Sequence, residues 1–253
     1  MSPTFEIVAS GAFGVLAGVL SGFLGIGGGG ILAPLLVVTL GIEQHRAQGI
    51  SLAALLPPVG LPAVLAFRRA GVQIRTSLVI ALIVGFLFGA LGGAWLAHRV
   101  ASRELRWGFA LFLAVSAVHS VLAKAVDRQG NSQSTRPWTG VPIGIAAGLM
   151  SGLLGVGGGL VALPLLKRFN GLSRLEAQAT TLAMMLPPIG LPAVYVYAQE
   201  QGGLPWALLA AVAVGFALGA GLGARMAGRV HARVATFVYA GVLAILALIL
   251  VRQ

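Results

Sequence analysis

Residues Ser21–Pro34 read SGFLGIGGGGILAP, and 130 residues later Ser151–Pro164 read SGLLGVGGGLVALP. Each stretch is a glycine break set inside a long apolar run. A glycine within a helix costs about 1 kcal/mol relative to alanine, so a cluster of them interrupts the helix. Glycine also tolerates backbone angles that other residues avoid, and it lets a ligand or a second helix come close. A break leaves backbone N–H and C=O groups without helical partners. In a bilayer such groups must line a cavity or be buried in protein. The two breaks are therefore the first place to look for function.

The repeat extends beyond the breaks. Gly14, Gly18 and Gly22 return as Gly144, Gly148 and Gly152, and Gly85, Gly89 and Gly93 as Gly215, Gly219 and Gly223. Gln48 returns as Gln178, Ser51 as Thr181, and Arg99 and Arg103 as Arg229 and Arg233. LPPVGLP at Leu56–Pro62 becomes LPPIGLP at Leu186–Pro192. An offset that holds without a gap marks an internal duplication. The expected units are repeat 1 at 1–124 and repeat 2 at 137–253, joined by a polar linker loop at 125–136, within one integral membrane domain.

Membrane character follows from composition. The chain is 58% hydrophobic and 9% charged, with a mean hydropathy of +0.95. No water-soluble domain of 253 residues needs that much apolar surface. About 20 apolar residues span a bilayer core. About eight hydrophobic segments are expected: Phe5–Leu40, Ala47–Phe67, Thr76–Ala97 and Leu105–Ala123, then Val141–Leu166, Ala177–Ala198, Pro205–Ala224 and Ala232–Val251. The first run has no basic leader and no convincing cleavage site, so it is read as retained and not as a signal peptide. The fold class is an all-α polytopic membrane protein. The net charge of +11 does not point to nucleic acid, because the arginines and lysines sit in short gaps between apolar runs. That is the pattern of loops that set topology. There is no cysteine, so thiolate metal sites and cysteine nucleophiles are excluded.

Charge also arbitrates between two topologies. If the glycine break turns the chain back as a re-entrant hairpin, each half crosses three times and the halves are inverted. One side then holds Arg68, Arg69, Arg75, Lys124, Arg128, Arg136, Lys167, Arg168, Arg174, Arg225, Arg229 and Arg233, twelve in all, and the other holds Arg46, Arg99, Arg103, Arg106 and Arg252. If the broken run crosses once, the halves are parallel and the division is 10 to 7. The positive-inside rule prefers the lopsided result. Two inverted pseudo-symmetric repeats are expected. Each has a glycine-broken first helix and a proline-broken second helix, and both termini are non-cytoplasmic.

The glycines four apart lie on one helix face each and are read as packing surfaces between helices. At each break, the second half-helix begins near Gly28–Ile31 or Gly158–Val161. A helix N-terminus presents free N–H groups and the positive end of a dipole, a ready anion site. Its contribution reaches roughly 2 kcal/mol when partly buried. An acidic side chain at the membrane centre costs about 2.5–3.5 kcal/mol. Two helix ends offset a monoanion only with added hydrogen bonds. The hydroxyls of Ser21, Ser51, Ser151, Thr180 and Thr181 could supply them or could bind nearby backbone. Gln48 and Gln178 open the proline-broken runs and are read as functional.

The candidate substrate-binding set is Ser21, Gly22, Gly25, Gly27, Gly28, Gly29, Gln48 and Ser51, with Ser151, Gly152, Gly155, Gly157, Gly158, Gly159, Gln178, Thr180 and Thr181. The candidate hinges are Pro57, Pro58, Gly60 and Pro62, with Pro187, Pro188, Gly190 and Pro192. The prolines remove N–H donors and are expected to free the carbonyls of Ala53, Ala54, Ala183 and Met184, where a cation or water could bind. Matching discontinuous helices in two repeats are the best sequence pointer to a transporter's site.

Other chemistry is thin. Glu6, Glu43, Glu104, Asp127, Glu176 and Glu200 fall at run ends or in loops, so no carboxylate relay crosses the membrane. His119 lies in an apolar run, but its repeat counterpart is Ile249. Gly25, Gly27 and Gly30 match a dinucleotide fingerprint literally, without the preceding strand, and the second copy has Leu160 at the last position. No serine stands in a protease-like G-x-S-G element. No catalytic residue, metal site or cofactor is expected.

The SGxxGxGGG break, the polar helix starts at Gln48–Leu52 and Gln178–Leu182, and the duplication together resemble the TauE/SafE sulfite exporter family, also called the 4-toluene sulfonate uptake permease family. The resemblance covers nearly the whole chain. It implies a bacterial-type, multi-pass inner-membrane transporter with two pseudo-symmetric halves. Its implied substrates include sulfite, sulfonates and related small organic anions. The family's glycine break maps to Ser21–Gly29 and Ser151–Gly159, and its polar helix starts to Gln48–Ser51 and Gln178–Thr181.

The expected function is secondary transport of a small sulfur-containing or carboxylate anion, by alternating access around a central site built from both glycine breaks. The alternatives are a cation- or proton-coupled site at the proline-freed carbonyls, or a non-transporting membrane assembly subunit. The expected partners are the anionic substrate and the lipid bilayer. A homo-oligomer is compatible with this reading, and nucleic acid is not. Valine at Gly28 and Gly158 is expected to abolish transport and leave the protein folded.

Overall fold

A computed structural model describes residues 3–24, 29–56, 58, 60–97, 99–122, 137–155, 157–188, 191, 194–195, 199, 206–227, 229–230 and 232–252. The described residues form eleven α-helices and one 3-10 turn. In order they are α1 (Pro3–Leu24), α2 (Gly29–Leu40), α3 (Gln44–Ala54), α4 (Leu61–Arg69), α5 (Thr76–Ala97), α6 (Ser102–Leu122), the turn Pro137–Thr139, α7 (Gly140–Leu154), α8 (Gly159–Asn170), α9 (Arg174–Met184), α10 (Trp206–Ala227) and α11 (Ala232–Arg252). Four segments are long and apolar enough to cross a bilayer: Ile7–Leu24, Thr76–Ala97, Pro137–Leu154 and Trp206–Ala227.

The helix limits repeat at the sequence offset. α2, α3, α5 and α6 return 130 residues later as α8, α9, α10 and α11, and α1 and α7 end at Leu24 and Leu154. The stop signals repeat as well. Gly41 and Gly171, at φ +65° and +61°, end α2 and α8 in the left-handed conformation that favours glycine.

Packing is dominated by α1 on α10 and α5 on α7. A methyl added at Gly14, Gly18 or Gly22 would overlap the carbonyl of Val212, Phe216 or Ala220. Gly215, Gly219 and Gly223 face the carbonyls of Gly11, Val15 and Val19 in return. The other pair is built alike. Gly85, Gly89 and Gly93 lie on Val141, Ile145 and Leu149, and Gly144, Gly148 and Gly152 on Leu82, Phe86 and Ala90. Backbones approach this closely only where no side chain intervenes. Numbers rise together across both contacts, so each pair is parallel. Each pair also joins a helix from the first half to one from the second.

Three hydrogen bonds fix how the pairs are set. Asn170 Nδ2, at the end of α8, donates to Thr139 Oγ1 at the start of α7, 2.7 Å away. A continuous helix would hold residues 31 apart by about 46 Å, so α7 and α8 form an antiparallel hairpin. Arg174 Nη2 donates to Ala227 O at 2.8 Å and Val230 O at 3.4 Å, which puts the start of α9 at the end of α10. The start of α7 and the end of α1 therefore share one end of the bundle, and α1 runs antiparallel to α7.

That end gathers Arg68, Arg69, Arg75, Lys167, Arg168, Arg174, Arg225, Arg229 and Arg233. A shallow groove there is lined by Gly71, Val72 and Gln73 from the α4–α5 turn and by Ser173, Leu175 and Glu176. The opposite end carries Arg46, Arg99, Arg103, Arg106 and Arg252. Lys124, Arg128 and Arg136 of the expected linker lie outside the described residues.

The surface is the apolar part. Phe88, Leu111, Leu122, Val214, Leu218, Phe237 and Leu248 are all exposed, while Ser21, Gln48, Ser51, Ser151, Gln178, Thr180 and Thr181 are buried. A water-soluble protein does not display so much apolar area, and a lipid-facing one does. Trp95, Trp107, Trp138 and Trp206 are exposed at helix ends, as in the aromatic belts of membrane proteins. Trp95 also carries the Arg99 guanidinium 3.7 Å above its ring.

Candidate functional site

The second glycine break is a tight turn made of left-handed residues. Gly155, Gly157 and Gly158 have φ of +71°, +73° and +64°. An L-residue with a side chain is strained in this region, which is why the break is written in glycine. The Gly155 N–H closes α7 on Ser151 O at 2.7 Å. The Gly159 N–H then bonds Gly157 O at 2.6 Å, and the Ala162 N–H bonds Gly158 O at 2.9 Å as α8 begins.

This turn is walled by the first half of the chain. A Cβ at Gly155 would stand 2.8 Å from Gln48 Cγ, and one at Gly158 would enter the Phe86 ring. Gln48 and Ser51 are one turn apart on α3, and Ser151 and Gly155 are one turn apart on α7. The Gln48–Gly155 contact therefore brings the Ser51 and Ser151 hydroxyls to one junction. Both serines are at most 1% exposed. Neither Oγ has a hydrogen-bond partner among the described residues. A buried polar group left unpaired costs about 1–3 kcal/mol, so two in one place mark a site kept for something other than stability.

At the first break the crossing runs the other way. Gln178, on α9 of the second half, donates from Nε2 to Leu24 O at 2.9 Å and Phe23 O at 3.4 Å. These are the last carbonyls of α1, which have no partner within their own helix. Gln178 is 2% exposed, and its Oε1 has no partner among the described residues. Gly25, Gly27 and Gly28 lie outside the described residues, and Gly29 begins α2.

The remaining candidates separate. Thr181 Oγ1 donates to Ala177 O of its own helix at 2.8 Å, the backbone role left open by the sequence. Thr180 and Ser21 are buried. Gly22 and Gly152 face the Ala220 and Ala90 carbonyls in the helix pairs. Gly157 and Gly159 are buried in the turn and at the first residue of α8.

Two expectations change. The breaks do not build one central site. Leu24 and Leu154 lie near opposite ends of the bundle, separated by about 20 Å, the rise of the 15 residues of α7. Each break instead meets the α3 or α9 helix of the opposite half. The proline breaks also free fewer carbonyls than expected, because Ala53 O accepts from the Leu56 N–H at 3.1 Å and Ala183 O from the Leu186 N–H at 3.2 Å. These are tightened last turns that recover the bonds lost to proline. Pro58 and Pro188 are exposed, Pro187 is half-buried, and Pro62 packs against Gly221. Gly60 faces Leu182 O of α9. Pro57, Gly190 and Pro192 lie outside the described residues.

Phe86 was missed by sequence reasoning, although it recurs as Phe216 at the same offset and both are buried. The Asn170–Thr139 bond has no sequence signal, since the offset places Leu40 and Ala9 at the matching positions.

The family model for the sulfite exporter TauE/SafE matches residues 10–250. The chain is 29% identical over 207 residues to the probable membrane transporter protein YdhB of Bacillus subtilis, covering 79% of this chain and 82% of the relative. It is 26% identical over 219 residues to the probable membrane transporter protein MJ0441 of Methanocaldococcus jannaschii, covering 79% of each. No solved structure matches the chain significantly.

Proposed function

The chain belongs to the TauE/SafE sulfite exporter family, a family of multi-pass membrane transporters and not of enzymes, and on that premise we propose that it is a secondary transporter of small anions. The substrate class is sulfite, sulfonates and related organosulfur or carboxylate compounds. The observation that carries this reading is the pair of buried, unpartnered hydroxyls at Ser51 and Ser151 beside the start of α8. Hydroxyls donate to an oxyanion, and the first turn of α8 adds the positive end of its dipole.

Units 1–124 and 137–253 are read as inverted repeats, with each glycine-broken hairpin re-entering from one face. The antiparallel course of α1 and α7 supports this. The arginine-rich end is the cytoplasmic one, and both termini lie across the membrane from it. A reporter fused at Gln253 that proves cytoplasmic overturns that orientation. Transport proceeds by alternating access, with the proton-motive force or the substrate gradient as the energy source, and the sequence has no ATP-binding motif. A cation site at proline-freed carbonyls is the weaker reading, because two of its four oxygens already accept backbone bonds.

Thermal stability of the detergent-purified protein against sulfite, sulfate, thiosulfate, taurine, sulfoacetate and small carboxylates tests the proposal. A ligand that binds only the folded state raises the melting temperature by mass action. The expected result is an upward shift with a sulfur oxyanion or sulfonate that is absent in the Ser51→Ala, Ser151→Ala double variant. Response to sodium or pH alone, with none to any anion, overturns it. The serine pair is a cleaner test than valine at Gly158, where the left-handed backbone and the Phe86 ring would also destabilise the fold.

A further inference from the structure

Gln48 and Gln178 occupy the same position in the two halves, and each reaches across to the terminal turn of the other half's first helix. Gln178 holds the final carbonyls of α1 at the arginine-rich end. Gln48 lies against Gly155, the cap of α7, at the opposite end. Both side chains are at most 2% exposed. Each contact joins a glycine-broken hairpin to a helix that itself stops at a proline break, α3 before Pro58 and α9 before Pro187. Parting either contact separates α1 from α9, or α7 from α3, at one end while leaving the glycine-packed pairs α1·α10 and α5·α7 in place.

We propose that the two glutamines are positioning residues that latch opposite ends of a transport path. Gln178 closes the arginine-rich end on Leu24 and Phe23, and Gln48 closes the far end on Gly155. The proposal rests on the transport reading and assigns the glutamines to closure instead of substrate contact. Closure at one end is independent of closure at the other because the two contacts are about 20 Å apart and share no residue. Alternating access then needs one latch open at a time.

The cysteine-free chain permits a direct test with single-cysteine reporters. Thr181→Cys lies one turn from Gln178, and Ser51→Cys one turn from Gln48. Labelling by a membrane-impermeant charged thiol reagent is measured from each face of sealed vesicles without substrate. Gln178→Leu is expected to speed labelling of Thr181→Cys from the arginine-rich face about tenfold, the population change given by one lost hydrogen bond, with Ser51→Cys unchanged. Gln48→Leu is expected to speed labelling of Ser51→Cys from the far face and leave Thr181→Cys unchanged. Gln178→Met and Gln48→Met carry the same test if the leucine variants do not fold. Unchanged rates overturn the latch, and so does a rise of both reporters together, which marks a loosened fold. Because no anion is present, labelling can refute the latches while the anion-induced melting shift stands, and the reverse.

Discussion

Helices α3 and α9 fill the same eleven-residue window of the two halves, yet their entries are built differently. α9 begins with a complete capping box. The Glu176 N–H donates to Ser173 Oγ at 3.3 Å, and the Ser173 N–H donates to Glu176 Oε2 at 2.9 Å. Arg174 then fastens that entry to Ala227 and Val230. α3 begins after Glu43, which makes no side-chain cap bond, and Arg46 stands where Glu176 stands in α9. One entry is pinned to a neighbouring helix end by a cap and a cation. The other lacks both devices. The duplication preserved the path of the chain and the glutamine one turn in, but not the fastening, so the two ends are equivalent in shape and unequal in hold.

The comparison can be broken first at the glycine contacts, where the halves match most closely. Gly18→Val and Gly148→Val each drive a side chain into the Phe216 or Phe86 carbonyl. Each is expected to cost more than about 4 kcal/mol and to yield no monodisperse protein on size-exclusion chromatography. Collapse of one variant only would mean that the two pairs are not interchangeable supports.

The unequal fastening is sharpened by Arg174→Gln, which gives up the charged bonds to Ala227 O and Val230 O. The expected loss is about 1.5–3 kcal/mol, read as a lower melting temperature in detergent. Ser173→Ala removes the cap and is expected to cost about 1 kcal/mol. If neither lowers the melting temperature, α9 is no more firmly held than α3. The smallest effects are expected at the paired hydroxyls. Thr181→Val loses the bond to Ala177 O and costs about 0.5–1 kcal/mol. Ser51→Ala removes a hydroxyl that has no partner, so the melting temperature holds or rises while vesicle uptake falls. A stability loss at Ser51 equal to that at Thr181 would make its hydroxyl structural.

Much of the fold was legible because local rules and the offset agreed. The expected run Thr76–Ala97 is α5 to the residue, and Ala232–Val251 is α11 but for its last arginine. The glycines spaced by four were readable as contact faces, since a bare helix face has one common use in lipid. The partner of each face was not readable. An offset reports that Gly14 resembles Gly144, and it carries no information that Gly14 lies on Val212. Placement of the breaks failed for the same reason: similarity between two segments suggests that they meet, whereas antiparallel copies put like segments at opposite ends. Only the arginines carried that direction. At the site, Ser51 and Ser151 were in view from the start. Their lack of partners depends on neighbours more than a hundred residues apart in sequence, which no local pattern specifies.

The exchange of helices between the halves also sets an order of manufacture. The glycine face of α5 finds α7 after 42 intervening residues, but that of α1 must wait through 181 for α10. At roughly 5–20 residues per second, α1 sits in lipid without its mate for about 10–40 s while the rest of the chain leaves the ribosome. Neither half made alone owns a matched surface for its first helix. Severing the chain in the polar stretch after α6 should therefore give two fragments that accumulate only when synthesised together.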